Sequence, residues 1–201
     1  MNLALFYDTE TTGLPLYREP SDDPRQPHLV QLAASLVDMD KRQVIQSIDL
    51  IVKPKGWVIP DEVTKIHGIT TEYAMEVGFD EALVVGLFMD LWNGVRRIAH
   101  NEPFDARILR IAIKRCGFTF HAETWKHGES ECTCAMATPV VKCPPTAEMK
   151  AKNMNFYKKA NLTEAYRHFF NEDFEDAHTA IADVKACMSV YFAILDEREL
   201  S

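Results

Sequence analysis

Residues 3–7, Leu-Ala-Leu-Phe-Tyr, form an unbroken apolar run that stops at a carboxylate, the pattern of a short buried central strand. Two further apolar segments, 28–37 and 44–52, flank the polar turn 38–42 and predict a hairpin beside the first strand, although 32–36 alone fits helix or strand equally. Residues 95–99 read as another strand. Helical spacing begins at Pro60, with Asp61 and Glu62 in a first turn and a stop at His67-Gly68, and a second short helix follows Thr70. From Asp80, Leu83, Val84, Leu87, Phe88, Leu91 and Trp92 predict an amphipathic helix packed on something flat. Asn101 is placed to cap the next one, with Pro103 in its first turn, Phe104, Ile108, Ile111 and Ala112 inward and Gly117 past its end.

Between these elements, 18–27 reads as an exposed loop rich in proline and acid. From 118 to 160 the periodicity weakens, and loops around one helix near 132–138 are expected. A short helix over 161–170 and a long one over 176–195 close the chain, the latter with Ile181, Val184, Met188, Tyr191, Phe192 and Leu195 inward. Strands first, then helices, one strand and more helices predict an α/β fold, a mixed sheet flanked by helices, in a single domain over 1–201.

A chain of 201 residues with 47% hydrophobic and 26% charged residues suits one core. Its net charge of −8 argues against gripping nucleic acid through a broad basic surface. Five cysteines, an odd number, and no basic leader predict a reducing, cytoplasmic setting without a disulfide framework. The longest apolar stretch, 82–89, is too short to span a bilayer, so no membrane partner is expected.

The acids matter more by position than by number. Asp8 and Glu10 lie at i and i+2 where the first strand ends, so both face one side. Adjacent carboxylates repel unless a proton or cation lies between them, and oxygen-only ligands favour Mg²⁺ or Mn²⁺. A solvated strand-end turn is the alternative. Asp105 follows His100-Asn101-Glu102-Pro103-Phe104 at the next strand-to-helix junction, where it either joins that site or stabilises the helix dipole. His178 and Asp183 open the last helix about 140° apart on a regular spiral, so they share a site only if His178 lies on an irregular turn.

Taken in order, Asp-x-Glu-Thr-Thr-Gly at 8–13, His-Gly-Ile at 67–69, His-Asn-x-x-Phe-Asp at 100–105 and His-x-x-x-x-Asp at 178–183 resemble the DnaQ-like 3′–5′ exonucleases of the DEDDh type, relatives of proofreading subunits, ribonuclease T and oligoribonuclease. The resemblance spans nearly the whole chain. It implies a ribonuclease H-like fold, with Asp8, Glu10, Asp105 and Asp183 holding two Mg²⁺ or Mn²⁺ ions per active site and His178 as general base. A two-metal site stabilises the attacking and leaving oxygens of a phosphodiester. It also implies that Thr11, Thr12, Leu14, His67 and Phe104 contact the terminal nucleotide, while Phe104 equally fits core packing beside Ile108. The expected activity is removal of nucleoside 5′-monophosphates from DNA 3′ ends, single-stranded or frayed. RNA trimming and a proofreading or accessory role beside a polymerase are the alternatives, and a homodimer fits as well as a monomer.

Two features stand outside this pattern. His121, His127, Cys132, Cys134 and Cys143 cluster in sequence, but their spacing is not that of a usual zinc site, and free thiols are the expectation. Residues 141–160 hold five lysines against Glu148, which either approaches substrate phosphates or forms a solvated loop.

Overall fold

The computed structural model describes residues 1–174 and 179–200. Strands β1 (Leu3–Thr11), β2 (Leu29–Asp38), β3 (Gln43–Ile51), β4 (Arg96–Ala99) and β5 (Ser130–Cys132) form one sheet in the order β3-β2-β1-β4-β5. The hairpin partners β2 and β3 run antiparallel, β2 is antiparallel to β1, and β4 and β5 are parallel to β1 and to each other. The apolar run thus lies in the middle of the sheet, as its unbroken hydrophobicity requires.

Helices α1 (Asp61–His67), α2 (Thr71–Val77), α3 (Glu81–Trp92), α4 (Glu102–Arg115), α5 (Thr119–His127), α6 (Thr133–Val141), α7 (Ala147–Ala151), α8 (Leu162–Phe170) and α9 (Ala180–Leu200) complete the chain. Alternation along β1 divides the core. Leu5 and Tyr7 pack with Phe88 of α3, Ile108 and Leu109 of α4 and Trp125 of α5. Ala4 and Phe6 face the other way, onto Val184, Cys187 and Tyr191 of α9.

α9 is enclosed on a second side, where Val190 and Ile194 meet Ala137 of α6 and Ala165 of α8. That double burial is why the single inward stripe expected for it is incomplete: Val184 and Tyr191 are buried as expected, and Cys187, Val190 and Ile194 join them. α3 departs further. Its buried face is Val84, Val85, Phe88, Met89 and Trp92, whereas Leu83 and Leu87 are exposed, because the sheet covers a stripe rotated by about one residue from the expected one.

Asn101 precedes α4 in the left-handed conformation, φ 67°, and its side chain makes no cap. The one helix expected near 132–138 is α6, and the surrounding 118–160 region, expected to be loops, also contains α5, β5 and α7. Trp125, fully buried, anchors α5 and donates its indole N–H to the Ala106 carbonyl at 2.9 Å. One large side chain holds this helix where no sustained period marks it. Asn161 caps α8 with a reciprocal Asn161–Glu164 capping box.

Candidate active site

β1 continues past its apolar half into the acidic motif, so side-chain alternation sends Asp8 and Glu10 toward α9 and Thr9 and Thr11 toward α4. The pairing with β2 slips between Glu10 and Thr11, a bulge that ends the ladder beside the acids. Asp183, in the first turn of α9, completes the group: one carboxylate oxygen each from Asp8, Glu10 and Asp183 lies within 4.8 Å of the others.

Such a cluster is electrostatically unfavourable by itself. Burial, then Asp105, Asp183 and Glu10, push the Asp8 carboxyl well above its usual range. Burial, then Asp183 and Asp105, push Glu10 to about 8. Asp8 and Glu10, which no cationic side chain perturbs among the described residues, converge with Asp183 into a hard, oxygen-only donor set. That set fits a divalent Mg²⁺- or Mn²⁺-class ion, which Asp8, Glu10 and Asp183 would hold.

Asp105 sits behind this group on α4. It accepts from the Thr9 backbone N–H at 3.1 Å and the Thr9 hydroxyl at 2.7 Å. Burial raises its pKa to about 8 against the lowering effect of those bonds. The oxygen reach that gathers the other three acids does not include it. Sequence reasoning missed Thr9, whose position between the two motif acids is its only signal.

A buried ion pair fixes the adjoining helix end. Glu102 accepts from Arg97 Nε at 2.7 Å and from the Tyr7 hydroxyl at 3.2 Å. Arg97 also donates to the Trp125 carbonyl and lies 4.2 Å from the centroid of that indole ring. This network ties β1, β4 and the first turn of α4 together, setting where Asp105 stands.

The expected substrate residues divide by environment. Leu14 is 77% exposed just beyond the acids, an apolar side chain left in water. Thr11 is buried, its hydroxyl donating to the Gly13 carbonyl, and the Thr12 hydroxyl accepts from the His28 N–H at 2.9 Å, so both shape the turn that follows the site. His67 is buried, and Nδ1 accepts from the Ile69 N–H. In the neutral ring the proton is therefore on Nε2, which has no well-formed hydrogen bond to the described residues. Burial lowers the His67 pKa, partly offset by the nearby Thr11 backbone. Phe104 is half-buried against the core cluster that contains Ile108.

His100 has a structural part: it bonds the Thr133 hydroxyl at 2.9 Å and the Ala160 carbonyl at 3.0 Å. His178 lies outside the described residues. The cysteines are all free, and neither they nor His121 and His127 form a metal-binding group among the described residues. The positive charge of 141–160 is partly spent, with Lys152 on Glu148 at 2.6 Å and Lys158 on Glu164 at 2.5 Å.

The family model for exonucleases of the RNase T type matches residues 5–191. This chain belongs to that exonuclease family. Within the DnaQ-like superfamily, the RNase T-type domain is 27% identical over 117 residues to the DNA polymerase III subunit epsilon of Pasteurella multocida, covering 58% of this chain and 44% of that protein. It is 25% identical over 191 residues to a Mycobacterium tuberculosis protein named as a bifunctional exonuclease/endonuclease, covering 94% of this chain and 26% of that one. Among solved structures, Escherichia coli exonuclease I with a dT13 oligonucleotide superimposes with a TM-score of 0.73 at 21% identity, over 98% of this chain and 41% of that one. A product-bound structure of exonuclease I gives 0.73 at 20% identity, over 98% and 44%. The chain thus spans less than half the length of these relatives, and the structural likeness establishes the fold. The RNase T-type family is divalent-metal dependent, in keeping with the acidic cluster. No helix among the described residues is long and apolar enough to cross a membrane.

Proposed function

We propose that the domain is a metal-dependent 3′–5′ exonuclease acting on single-stranded or frayed DNA ends and releasing nucleoside 5′-monophosphates. The observation that carries this reading is the convergence of Asp8, Glu10 and Asp183 at one end of the sheet of an exonuclease-family fold. Asp105, held by Thr9, is the fourth carboxylate of the DEDDh set. Bound there, divalent ions, two in the full reading, supply positive charge at the scissile phosphate and lower the pKa of water.

The chain's own groups do the rest. His178, five residues before Asp183 in sequence, accepts the proton of the attacking water at a ring nitrogen, a role for which imidazole titrates in the right range. Leu14, exposed beside the acids, packs against the terminal bases. His67 offers its Nε2–H to the terminal nucleotide, and the half-buried Phe104 offers a ring face for a base to stack on. Thr11 and Thr12 hold the turn that lines it. DNA is favoured over RNA because the exonuclease I neighbours are complexes with deoxyoligonucleotides. The whole sequence 1–201 forms the catalytic unit.

Digestion of 5′- and 3′-labelled DNA and RNA strands, with EDTA, Mg²⁺ or Mn²⁺, tests the reading. Stepwise shortening of 5′-labelled DNA that needs metal supports it. Equal or faster shortening of RNA moves the assignment to exoribonuclease, and no shortening of either rejects it. Similarity to the polymerase III subunit epsilon favours a second reading, a proofreading module bound to a polymerase. Co-elution with a polymerase catalytic subunit in gel filtration checks that reading.

A further inference from the structure

Three cations without an ion pair among the described residues, Arg107 and Arg110 of α4 and Lys126 of α5, gather on the outer side of α4. A cavity of about 370 Å³ there is lined by Tyr17, Pro103, Arg107, Arg110 and Lys126, with Arg97 beneath. Pro103, Arg107 and Arg110 stand at i, i+4 and i+7, one face of the helix. Asp105 lies about 200° around the same helix from Pro103, so the cavity is separated from the carboxylates by roughly one helix diameter, about 10 Å.

The charge around this cavity is one-sided. Arg97 is neutralised by Glu102, but Arg107 donates to the Glu19 carbonyl and Arg110 Nε to the Ser21 hydroxyl at 2.9 Å, both neutral acceptors. None of Arg107, Arg110 and Lys126 forms a carboxylate ion pair among the described residues. Arg107 carries the mark of this crowding: burial, then the like charge of Arg110, lower its pKa. Tyr17 is 64% exposed beside Arg107, an aromatic face that no core contact explains.

The loop that leaves the acids connects the two places. Gly13 and Leu14 follow Glu10 by three and four residues, and three residues later Tyr17 borders the cavity. α4 clamps this loop along its length, through Arg107, Arg110, the Lys114–Asp22 pair at 3.6 Å and Arg115 on the Gln26 and Pro27 carbonyls. A strand whose last phosphate lies at the acids and which follows this loop passes around α4, about half its circumference or roughly 16 Å. At about 3.4 Å per stacked nucleotide, and more when extended, that is roughly three to five nucleotides.

We propose that the Tyr17–Arg107–Arg110–Lys126 cavity is a second nucleic-acid contact, holding the phosphates of a single strand roughly three to five nucleotides upstream of its 3′ end with Tyr17 stacked on a base. The proposal rests on the exonuclease reading for the polarity of the strand. Cations spread over two helices, with an exposed ring between, match a chain of phosphates and bases better than one small anion.

The test measures binding of 5′-fluorescein-labelled dT12 and dT3 by anisotropy, in Ca²⁺ to suppress cleavage, across a salt series. Lys126→Glu, Arg110→Gln and Tyr17→Ala are compared with the unaltered chain, and Arg110→Lys tests retention of charge. The tighter binding of dT12 relative to dT3 is expected to fall about tenfold in Lys126→Glu. The slope of log K against log salt for dT12 should fall by roughly 0.7 for each cation removed. Arg110→Lys should keep the length preference that Arg110→Gln loses, at matched melting temperature. An unchanged preference for dT12, or equal losses on dT3 and dT12, overturns the proposal. So does competition by inorganic phosphate or dTMP that Lys126→Glu abolishes while dT12 binding stays intact, which would make this a small-anion site. If the unaltered chain cleaves nothing but these length-dependent losses appear, the second contact stands and the exonuclease reading alone fails.

Discussion

The carboxylate cluster should make the metal-free domain less stable as the pH rises, and divalent metal should remove that dependence. Glu10 has its pKa raised from 4.5 to about 8 by burial and by Asp183 and Asp105. The sign follows from proton counting. Below about pH 4.5 the group is protonated in both folded and unfolded chains and has no effect. Between 4.5 and 8 the folded chain keeps a proton that the unfolded chain has lost, so stability falls with rising pH until the folded group ionises near 8. At 1.36 kcal/mol per pH unit the full difference is about 5 kcal/mol, and screening in a partly open, shared cluster reduces it to roughly 2–3 kcal/mol. For a domain of this size that is about 4–12 °C in melting temperature.

His28, His67 and His100 have lowered pKa values and give the opposite slope below their normal range, so the informative window is pH 6.5–8.5. Thermal melts in EDTA and in saturating Mg²⁺ at both ends of that window read the effect as a difference in which distant groups cancel. Of the interval from 4.5 to about 8 only the part above pH 6.5 lies in this window, so the metal-induced rise should be about 2–5 °C larger at pH 8.5 than at 6.5. In EDTA at pH 8.5, Glu10→Gln should melt above the unaltered chain, because it removes one repelling charge. A metal effect that is equal at both pH values, or a Glu10→Gln protein less stable than the original at pH 8.5, would refute the reasoning.

The other expectations concern individual side chains. Asp8→Asn and Asp183→Asn should lower exonuclease turnover at least about 10³-fold while far-UV circular dichroism and melting temperature are kept or improved. His178→Ala should reduce kcat about 10²–10⁴-fold with Mg²⁺ binding by calorimetry unchanged, as loss of a base rather than of a ligand requires. Thr9→Val keeps the backbone N–H to Asp105 but deletes the 2.7 Å hydroxyl bond, and about a tenfold loss of activity, read as kcat at saturating Mg²⁺, is expected. Glu102→Ala should cost about 3–5 kcal/mol in urea unfolding because Arg97 is left buried without its partner, whereas Arg97→Met with Glu102→Leu should recover much of it.

The fold was legible wherever one periodicity met one surface. β1, the hairpin of β2 and β3, and the short helices α1 and α2 follow their sequence signals because each is bounded by proline, glycine or acid and faces one environment. Legibility failed where tertiary contact replaced periodicity. α5 is held by Trp125, and β5 is three residues long. α9 is covered on two sides, so no single stripe describes it. Leu83 and Leu87 look like core in sequence because α3 is apolar nearly all round, and only the placement of the sheet decides which stripe is covered. At the site, Asp8 and Glu10 were legible from strand alternation, and Asp183 joins them in space although five residues of helix spacing argued against a shared site with His178. Thr9 and the Tyr7–Glu102–Arg97 network were not legible, since the Tyr7–Glu102 and Thr9–Asp105 bonds join residues 95 and 96 apart.

The pairing of charges, more than their number, separates scaffold from chemistry in this chain. The buried pair of Arg97 and Glu102 is closed: each charge is matched, and the pair braces the first turn of α4. Asp8, Glu10 and Asp183 are gathered so that Asp183 and Asp105 raise the pKa of Asp8 and Glu10, and the fold tolerates that repulsion because packing on both faces of β1 fixes where they stand. On the outer side of α4, Arg107, Arg110 and Lys126 form no carboxylate ion pair among the described residues. A net charge of −8 averages over these three situations and conceals them. One helix presents an acid to the carboxylate side and cations to the outer side, so the sign of the local field, more than the net charge, decides where a polyanion can approach.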